Sequence, residues 1–100
     1  MPDAKDVKPG KWSNIIILYD NGDYSVCWGN YDGGVERTMG IRWNDNYPRQ
    51  GAWATWFVEN HLFIESKIIQ IIKLLHMGDC PGDKDLYLSN CEMALKEFLK

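Results

Sequence analysis

The chain has 100 residues, of which 45% are hydrophobic and 13% aromatic, and its formal charge at pH 7 is −3. This length suffices for one hydrophobic core but is too short for two, so we expect a single domain over residues 1–100. Acidic and basic residues are interspersed and form no concentrated basic segment, which argues against duplex nucleic acid as a partner.

The cysteines Cys27, Cys80 and Cys91 form no close pair, which disfavours a disulfide framework or a zinc cluster. We therefore expect reduced thiols and a cytoplasmic location. Residues 1–11 are polar, lack the apolar region of a signal peptide and are predicted to form a mobile tail. The most apolar run, residues 62–77, is interrupted by charged residues, so no membrane span is expected.

The first element predicted is a β-hairpin. Residues 14–19 are rich in β-branched side chains and are followed by Asn21-Gly22, the sequence typical of a two-residue type I′ turn. Ile16 and Leu18 are then expected on the less apolar face. The loop predicts a register in which three pairs lie on the core face: Tyr19 with Tyr24, Ile17 with Val26, and Ile15 with Trp28.

Two more strands are predicted to extend the hairpin into an antiparallel meander. A turn at residues 30–34 precedes a strand at residues 35–43, in which Val35, Met39, Ile41 and Trp43 share the apolar side. Arg37 interrupts that side near the strand start, where it can reach solvent. After a loop at residues 44–52, a fourth strand is predicted at residues 55–59.

Two helices are predicted to follow the strands. Asn60 is the expected N-cap of a helix that ends at about Met77 and is closed by Gly78. Ser89 and Glu92 form a capping box, which predicts the start of a second, C-terminal helix. The fold class is therefore α+β, with a four-stranded antiparallel meander packed against one long helix. The stripe expected to face the sheet comprises Ile64, Ile68, Ile71, Ile72 and Leu75.

The loop after the third strand is the candidate ligand-binding site. Arginine side chains can bind anions, and flat aromatic side chains can stack on a ligand. The alternative is that these large residues complete the core and fix the shape of the loop. The site predicted for a small anionic or aromatic ligand comprises Arg42, Trp43, Asn44, Tyr47, Arg49, Gln50 and Trp53.

An interaction surface is the second hypothesis. Strand alternation places Trp56 on the sheet face opposite Phe57, and an apolar patch on that face is typical of a partner interface. A homodimer is the simplest such assembly, and a regulatory or antitoxin-like partner is another. The predicted interface residues are Ile16, Leu18, Trp56, Ile69 and Leu74.

No catalytic residue, metal site or cofactor is predicted. Cys27 lies in the middle of a predicted strand without a neighbouring histidine, so a packed thiol is the simpler interpretation. His61 and His76 lie at opposite ends of the first predicted helix, too far apart to share a metal. His76 in the last turn is explained by the helix dipole.

The segment at residues 40–58, GIRWNDNYPRQGAWATWFV, resembles a group of small uncharacterised bacterial proteins found among integron gene cassettes. The pattern is Gly-x-Arg-Trp-Asn, then Tyr-Pro-x-Gln-Gly, then Thr-Trp-Phe-Val. The resemblance covers residues 12–59 and implies a bacterial cytosol without implying any activity. The matching residues are Gly40, Arg42, Trp43, Asn44, Tyr47, Pro48, Gln50, Gly51, Thr55, Trp56, Phe57 and Val58.

Overall fold

The structure, a computed structural model, describes residues 12–43, 56–78 and 82–100. The predicted tail at residues 1–11 lies outside this part of the chain. Within it, the predicted α+β fold is confirmed: a four-stranded antiparallel sheet of order β1-β2-β3-β4 is followed by two helices. The strands are β1 (Trp12–Asp20), β2 (Tyr24–Tyr31), β3 (Arg37–Trp43) and β4 (Phe57–Val58). Helix α1 is Ile64–His76, preceded by a 3₁₀ turn at His61–Phe63, and helix α2 is Lys84–Phe98.

Apolar residues are buried in two groups. In the main core, Leu18, Val26 and Trp28 of the sheet pack against the apolar stripe of α1 and against α2. The predicted stripe is confirmed, since Ile64, Ile68, Ile71 and Leu75 are buried and Ile72 packs beside them. A second cluster comprises Trp12, Cys27 and Trp56, with Ile15 and Ile17 packed against it.

The register predicted for the first hairpin is wrong near its turn. Tyr19 pairs with Val26 and Ile17 with Cys27. The predicted register holds only at the end of the hairpin away from the turn, where Trp12 lies opposite Tyr31. Two irregularities in β1 produce this change, one between Ser13 and Ile16 and one between Ile17 and Tyr19. Each inserts an extra residue into β1 and so reverses which of its side chains face the helices.

This reversal overturns part of the predicted interface. Leu18 is 0% exposed and lies in the main core, with Ile16 packed against it, so neither belongs to an exposed face. Leu74 is also partly buried against the main core. Ile69 remains exposed on α1.

Side chains of α2 hydrogen-bond to β1 at the second irregularity. The side-chain amide of Asn90 donates to the backbone oxygen of Ile17 at 2.7 Å, and the thiol of Cys91 lies 3.6 Å from the oxygen of Leu18. A bulge leaves backbone groups outside the regular ladder, and buried carbonyls need donors. Helix α2 supplies these donors, so the bulge and the helix position stabilise each other.

The first turn also departs from the prediction. Asn21 is not among the residues with positive φ, whereas a type I′ turn requires positive φ at both central residues. Its side-chain oxygen instead accepts from the backbone N–H groups of Asp23 and Tyr24, each at 2.9 Å. The second turn, predicted at residues 30–34, is confirmed: Asp32 and Gly33 have φ of 51° and 77°.

The start of β3 and the start of α2 differ from the predicted boundaries. Val35 lies before β3 and is 97% exposed, not on its apolar side. Asn60 accepts from the N–H of Leu62 and so caps the 3₁₀ turn that leads into α1, whereas α1 itself begins after Phe63 without a side-chain cap. Gly78 has positive φ after α1. Helix α2 begins before Ser89, because Asp83 accepts a hydrogen bond from the N–H of Leu86 and acts as the earlier cap.

The burial of Leu18 on the reversed face of β1 leads to a prediction about the stability of the fold. Leu18→Ala removes a fully buried side chain, so we expect the free energy of unfolding to fall by about 2–5 kcal/mol. Ile69→Ala is the matched control, because Ile69 is 53% exposed, and its effect should stay within about 0.5 kcal/mol. Urea unfolding followed by far-UV circular dichroism measures both. Equal effects of the two substitutions would contradict the observed register.

Candidate ligand-binding cleft

The predicted ligand site lies mostly outside the part of the chain that the structure describes. Asn44, Tyr47, Arg49, Gln50 and Trp53 lie outside the described residues, and for Trp43 only the backbone, at the end of β3, is described. Arg42 is 1% exposed and pairs across the sheet with Ser25, which is also buried. It therefore lies in the interior, not on an accessible ligand surface.

Trp56 lies on the sheet face opposite the helices, as strand alternation predicts, but it is not exposed. It is 4% exposed and packs with Trp12 and Cys27 in the second cluster. Gly40 of β3 permits this packing, since a Cβ there would lie 2.8 Å from the sulfur of Cys27 and 2.9 Å from the ring of Trp12. Trp56 is therefore a packing residue and not an interface residue.

A cleft of about 410 Å³ opens on the other side of the molecule. This volume lies within the range of roughly 300–1,000 Å³ that small-molecule sites occupy. The first bulge of β1, the β2–β3 hairpin, the start of α1 and the end of α2 surround it. Its lining residues are Asn14, Trp28, Asn30, Val35, Glu36, Arg37, Thr38, His61, Ile64, Glu97, Phe98 and Lys100.

Glu97, which lines this cleft, joins α2 to the sheet. Its carboxylate accepts two hydrogen bonds from Arg37, from Nε at 2.9 Å and from Nη2 at 2.6 Å. The indole Nε1 of the buried Trp28 donates to the same carboxylate at 2.8 Å. The hydrogen bonds from Arg37, supported by the one from Trp28, hold the pKa of Glu97 below its usual value. Glu97 is therefore ionised at neutral pH and fixed in orientation.

The first bulge of β1 forms one wall of the cleft. Asn14 has a φ of 54°, and its backbone oxygen accepts a hydrogen bond from Nη1 of Arg37 at 3.3 Å. Gly29 lies opposite, where an added Cβ would lie 3.1 Å from the backbone oxygen of Ser13. The missing side chain at Gly29 lets the bulge approach β2 closely. The side chain of Asn30 donates to the oxygen of Gly34 and fixes the adjoining turn.

Aromatic rings form the apolar part of the cleft. The ring of Phe98 meets that of Trp28 edge to face at a centroid distance of 6.3 Å. The ring of Phe98 also packs against the imidazole of His61, with 5.0 Å between the ring centroids. A cleft that combines a ring wall with fixed polar groups is typical of sites for small polar ligands.

A second ion pair lies at the other edge of the sheet. Lys67 of α1 binds the carboxylate of Glu59, and its ammonium group lies 3.4 Å from the hydroxyl of Tyr24. Burial acts to raise the pKa of Glu59, but the hydrogen bonds from Lys67 and from the backbone of Asn60, together with the positive charge of Lys67, outweigh it, so this pKa is lowered. The pair connects α1 to the end of the sheet, and it borders only a shallow depression.

The two described thiols lie away from the cleft. Cys27 is buried in the second cluster, as the sequence predicted, and Cys91 is buried in the main core. Burial raises the pKa of Cys27 and raises that of Cys91 to about 12. Both are therefore protonated at neutral pH and poorly nucleophilic.

The cleft was missed at the sequence level because its parts are far apart in the chain. Arg37 and Glu97 are separated by 60 positions and Trp28 and Glu97 by 69. One signal was present: Arg37 interrupts the apolar side of β3. A charged residue that faces a helix-covered side needs a partner, and that partner lies on α2.

Comparison with protein-family models, with curated proteins and with solved structures found no match. The resemblance to integron-cassette proteins and the cytoplasmic location therefore stay predictions. In residues 12–43, 56–78 and 82–100, no helix is long and apolar enough to cross a membrane.

The network around Glu97 makes a prediction about pH. The pKa of Glu97 is lower in the folded state than in the unfolded chain. Its contribution to stability is therefore fully present when the pH is above the pKa of the unfolded chain, and it is lost as the pH falls through the pKa of the folded state. Glu97→Gln keeps an acceptor for Trp28 but removes the charge, so we expect a loss of about 1 kcal/mol at pH 7. The difference from the wild type should shrink as the pH falls below the unfolded pKa and disappear once the pH is below the lowered pKa of the folded state.

Urea unfolding at several pH values measures this difference. Glu92→Gln is the matched control, since Glu92 is exposed on the same helix. A Glu97→Gln penalty that is independent of pH would show that the charge of Glu97 does not stabilise the fold.

Proposed function

We propose that this protein is a non-enzymatic binding module that holds a small polar ligand in the cleft between the β2–β3 hairpin and the end of α2. The observation that carries the proposal is the cleft itself, which combines a suitable volume with an aromatic wall and fixed polar side chains. The predicted function, binding of a small ligand, is kept, and we propose this cleft as the site because its lining residues are described.

The geometry supports binding because the polar groups are held in place before a ligand arrives. Arg37 is fixed by Glu97 and by the backbone of Asn14, and Glu97 is fixed by Trp28 as well. Side chains that are already ordered lose little conformational entropy on binding, which favours affinity. His61 and Lys100 are exposed at the cleft and can donate hydrogen bonds to a ligand.

Binding without catalysis is favoured by the chemistry of the described residues. The two described thiols, Cys27 and Cys91, are buried outside the cleft. The Glu97 carboxylate is occupied by Arg37 and Trp28, so it is a poor general base. The groups that remain accessible are suited to recognition.

The first test is thermal unfolding of the purified protein against a collection of amino acids, nucleotides, monosaccharides and small carboxylates. A compound at 100 times its dissociation constant stabilises the protein by about 2.7 kcal/mol, which raises the melting temperature of a small domain by about 10–20 °C. We expect His61→Ala to abolish this shift, because His61 forms part of the aromatic wall.

His76→Ala is the matched control, since His76 is exposed at the opposite end of α1 and does not line the cleft. Absence of any shift across the collection would contradict the proposed function. A shift that survives in His61→Ala would place the ligand elsewhere.

Self-association is the second candidate, favoured by the exposure of Phe57, Val58, Leu62 and Phe63, four large apolar residues in or just after the edge strand β4. Strand β4 is the last strand of the described sheet. Because the N–H of Glu59 donates to the oxygen of Met39, Val58 directs its backbone groups away from β3. Two such edges can pair antiparallel about a two-fold axis, so a second copy of the chain is the occupant that fits.

This candidate predicts a dimer that Leu62→Asp converts into a monomer, because the charge would be placed in the apolar interface. Light scattering after size-exclusion chromatography measures the mass over a range of protein concentrations. Leu86→Asp is the control, since Leu86 is exposed on α2. A wild-type monomer at every concentration would rule out this interface.

A further inference from the structure

The Asn21-Gly22 pair of the first turn has a chemical reactivity that is independent of the cleft. Of the seven asparagines in the chain, Asn21 is the one that is followed by glycine. A backbone nitrogen can attack the side-chain amide of the preceding asparagine, and a side chain on the attacking residue hinders this approach. Gly22 has no side chain, is exposed, and has open space where a Cβ would lie. By sequence, Asn21 is therefore the asparagine most open to this attack.

The side-chain carbonyl of Asn21 is polarised by the backbone of the turn. Its Oδ1 accepts hydrogen bonds from the N–H groups of Asp23 and Tyr24, each at 2.9 Å. Attack on the side-chain carbon places negative charge on this oxygen. Two fixed backbone donors that point at such an oxygen stabilise the charge as it develops, as an oxyanion hole does in acyl transfer.

A carboxylate lies beside the attacking nitrogen. The N–H of Gly22 donates to Oδ1 of Asp20 at 2.9 Å. An amide nitrogen becomes nucleophilic only as its proton is removed, and a carboxylate at hydrogen-bond distance is placed to accept that proton. Because the nitrogen of Gly22 is bonded to the backbone carbonyl carbon of Asn21, the chain itself holds nucleophile and electrophile together, and no second molecule has to be oriented.

We propose that Asn21 is a self-modification site at which the folded turn promotes loss of the side-chain amide. The nitrogen of Gly22 forms a bond to Cγ of Asn21, and the bond between Cγ and Nδ2 breaks. The proton of Gly22 passes through the carboxylate of Asp20 to Nδ2, which leaves as ammonia. Water then opens the cyclic imide: its hydroxyl adds to one imide carbon and its proton returns to the ring nitrogen. The products are aspartate or isoaspartate at position 21, and neither an oxidant nor a cofactor is consumed.

Both products change the turn that joins β1 to β2. Each replaces an amide by a carboxylate, so the chain gains one negative charge, between Asp20 and Asp23. Isoaspartate also lengthens the main chain by one atom, directly after the pair that Asp20 forms with Ser25. The reaction requires no partner, so the modified form accumulates with the age of the molecule.

The experiment follows the purified full chain at neutral pH over several weeks. Samples are digested, and the peptide that carries position 21 is resolved by liquid chromatography and mass spectrometry into its asparagine, aspartate and isoaspartate forms. We expect conversion at Asn21. Asn60 is the control within the same sample, because its Oδ1 also accepts from a backbone N–H but it precedes His61. Conversion at Asn21 that does not exceed conversion at Asn60 overturns the proposal.

Two substitutions test the role of the carboxylate. Asp20→Asn removes the base, and we expect the rate at Asn21 to fall by about 100-fold, the lower end of what a positioned base contributes. Asp23→Asn is the matched control, since it removes the same charge from the same turn, whereas the N–H of Gly22 is bound to Asp20. Far-UV circular dichroism checks that both variants are folded. Equal rates in the two variants contradict the proposed reaction.

Unfolding separates the geometry of the turn from its sequence. In concentrated urea the hydrogen bonds made by Asp20 and by Oδ1 of Asn21 are lost, so we expect the wild type and Asp20→Asn to react there at the same rate. A difference that persists in urea would show that the local sequence, and not the folded turn, directs the reaction, which also overturns the proposal. None of these outcomes bears on ligand binding in the cleft.

Discussion

The cleft depends on the hydrogen bonds that the carboxylate of Glu97 accepts. These bonds join the last turn of α2 to β2 through Trp28 and to β3 through Arg37. A charge beside a core is stable only when it is paired and hydrogen-bonded. Here the same carboxylate satisfies the guanidinium of Arg37 and the indole N–H of a buried tryptophan. Its loss would leave the guanidinium of Arg37 without its anionic partner and the indole N–H of Trp28 without this acceptor. Helix α2 would keep its contacts with β1 through Asn90 and Cys91 but lose these polar contacts with β2 and β3.

A second constraint acts on β1, the strand at the opposite edge of the sheet from β4. Its two irregularities allow Leu18 and Tyr19, which are adjacent in the chain, both to be buried in the main core. In a regular strand adjacent side chains would face opposite sides. Asn90 of α2 binds the backbone oxygen of Ile17 beside the second irregularity. The other irregularity brings the backbone oxygen of Asn14 to Arg37 and so shapes the cleft.

These two constraints explain why the candidate site lies where it does. The end of α2 is held by Glu97. The start of α1 is fixed by burial of Ile64, and the 3₁₀ turn before it is capped by Asn60. The two ends meet at the contact between Phe98 and His61. The cleft is therefore a consequence of helix packing on the sheet, and its polar groups are ordered by the same contacts that stabilise the fold.

Local patterns in the sequence were enough to predict the antiparallel meander, the apolar stripe of α1, the Asn60 cap and the positive φ at Gly78, since each depends on neighbouring residues. They also placed Arg37 on the helix-facing side of β3. The register of β1, the start of α2 at Asp83 and the cleft were decided by tertiary structure. The contacts that fix them join residues such as Arg37 and Glu97, 60 positions apart. Hydrophobic periodicity reports which face of an element is buried, but it carries no information on which distant polar groups will meet.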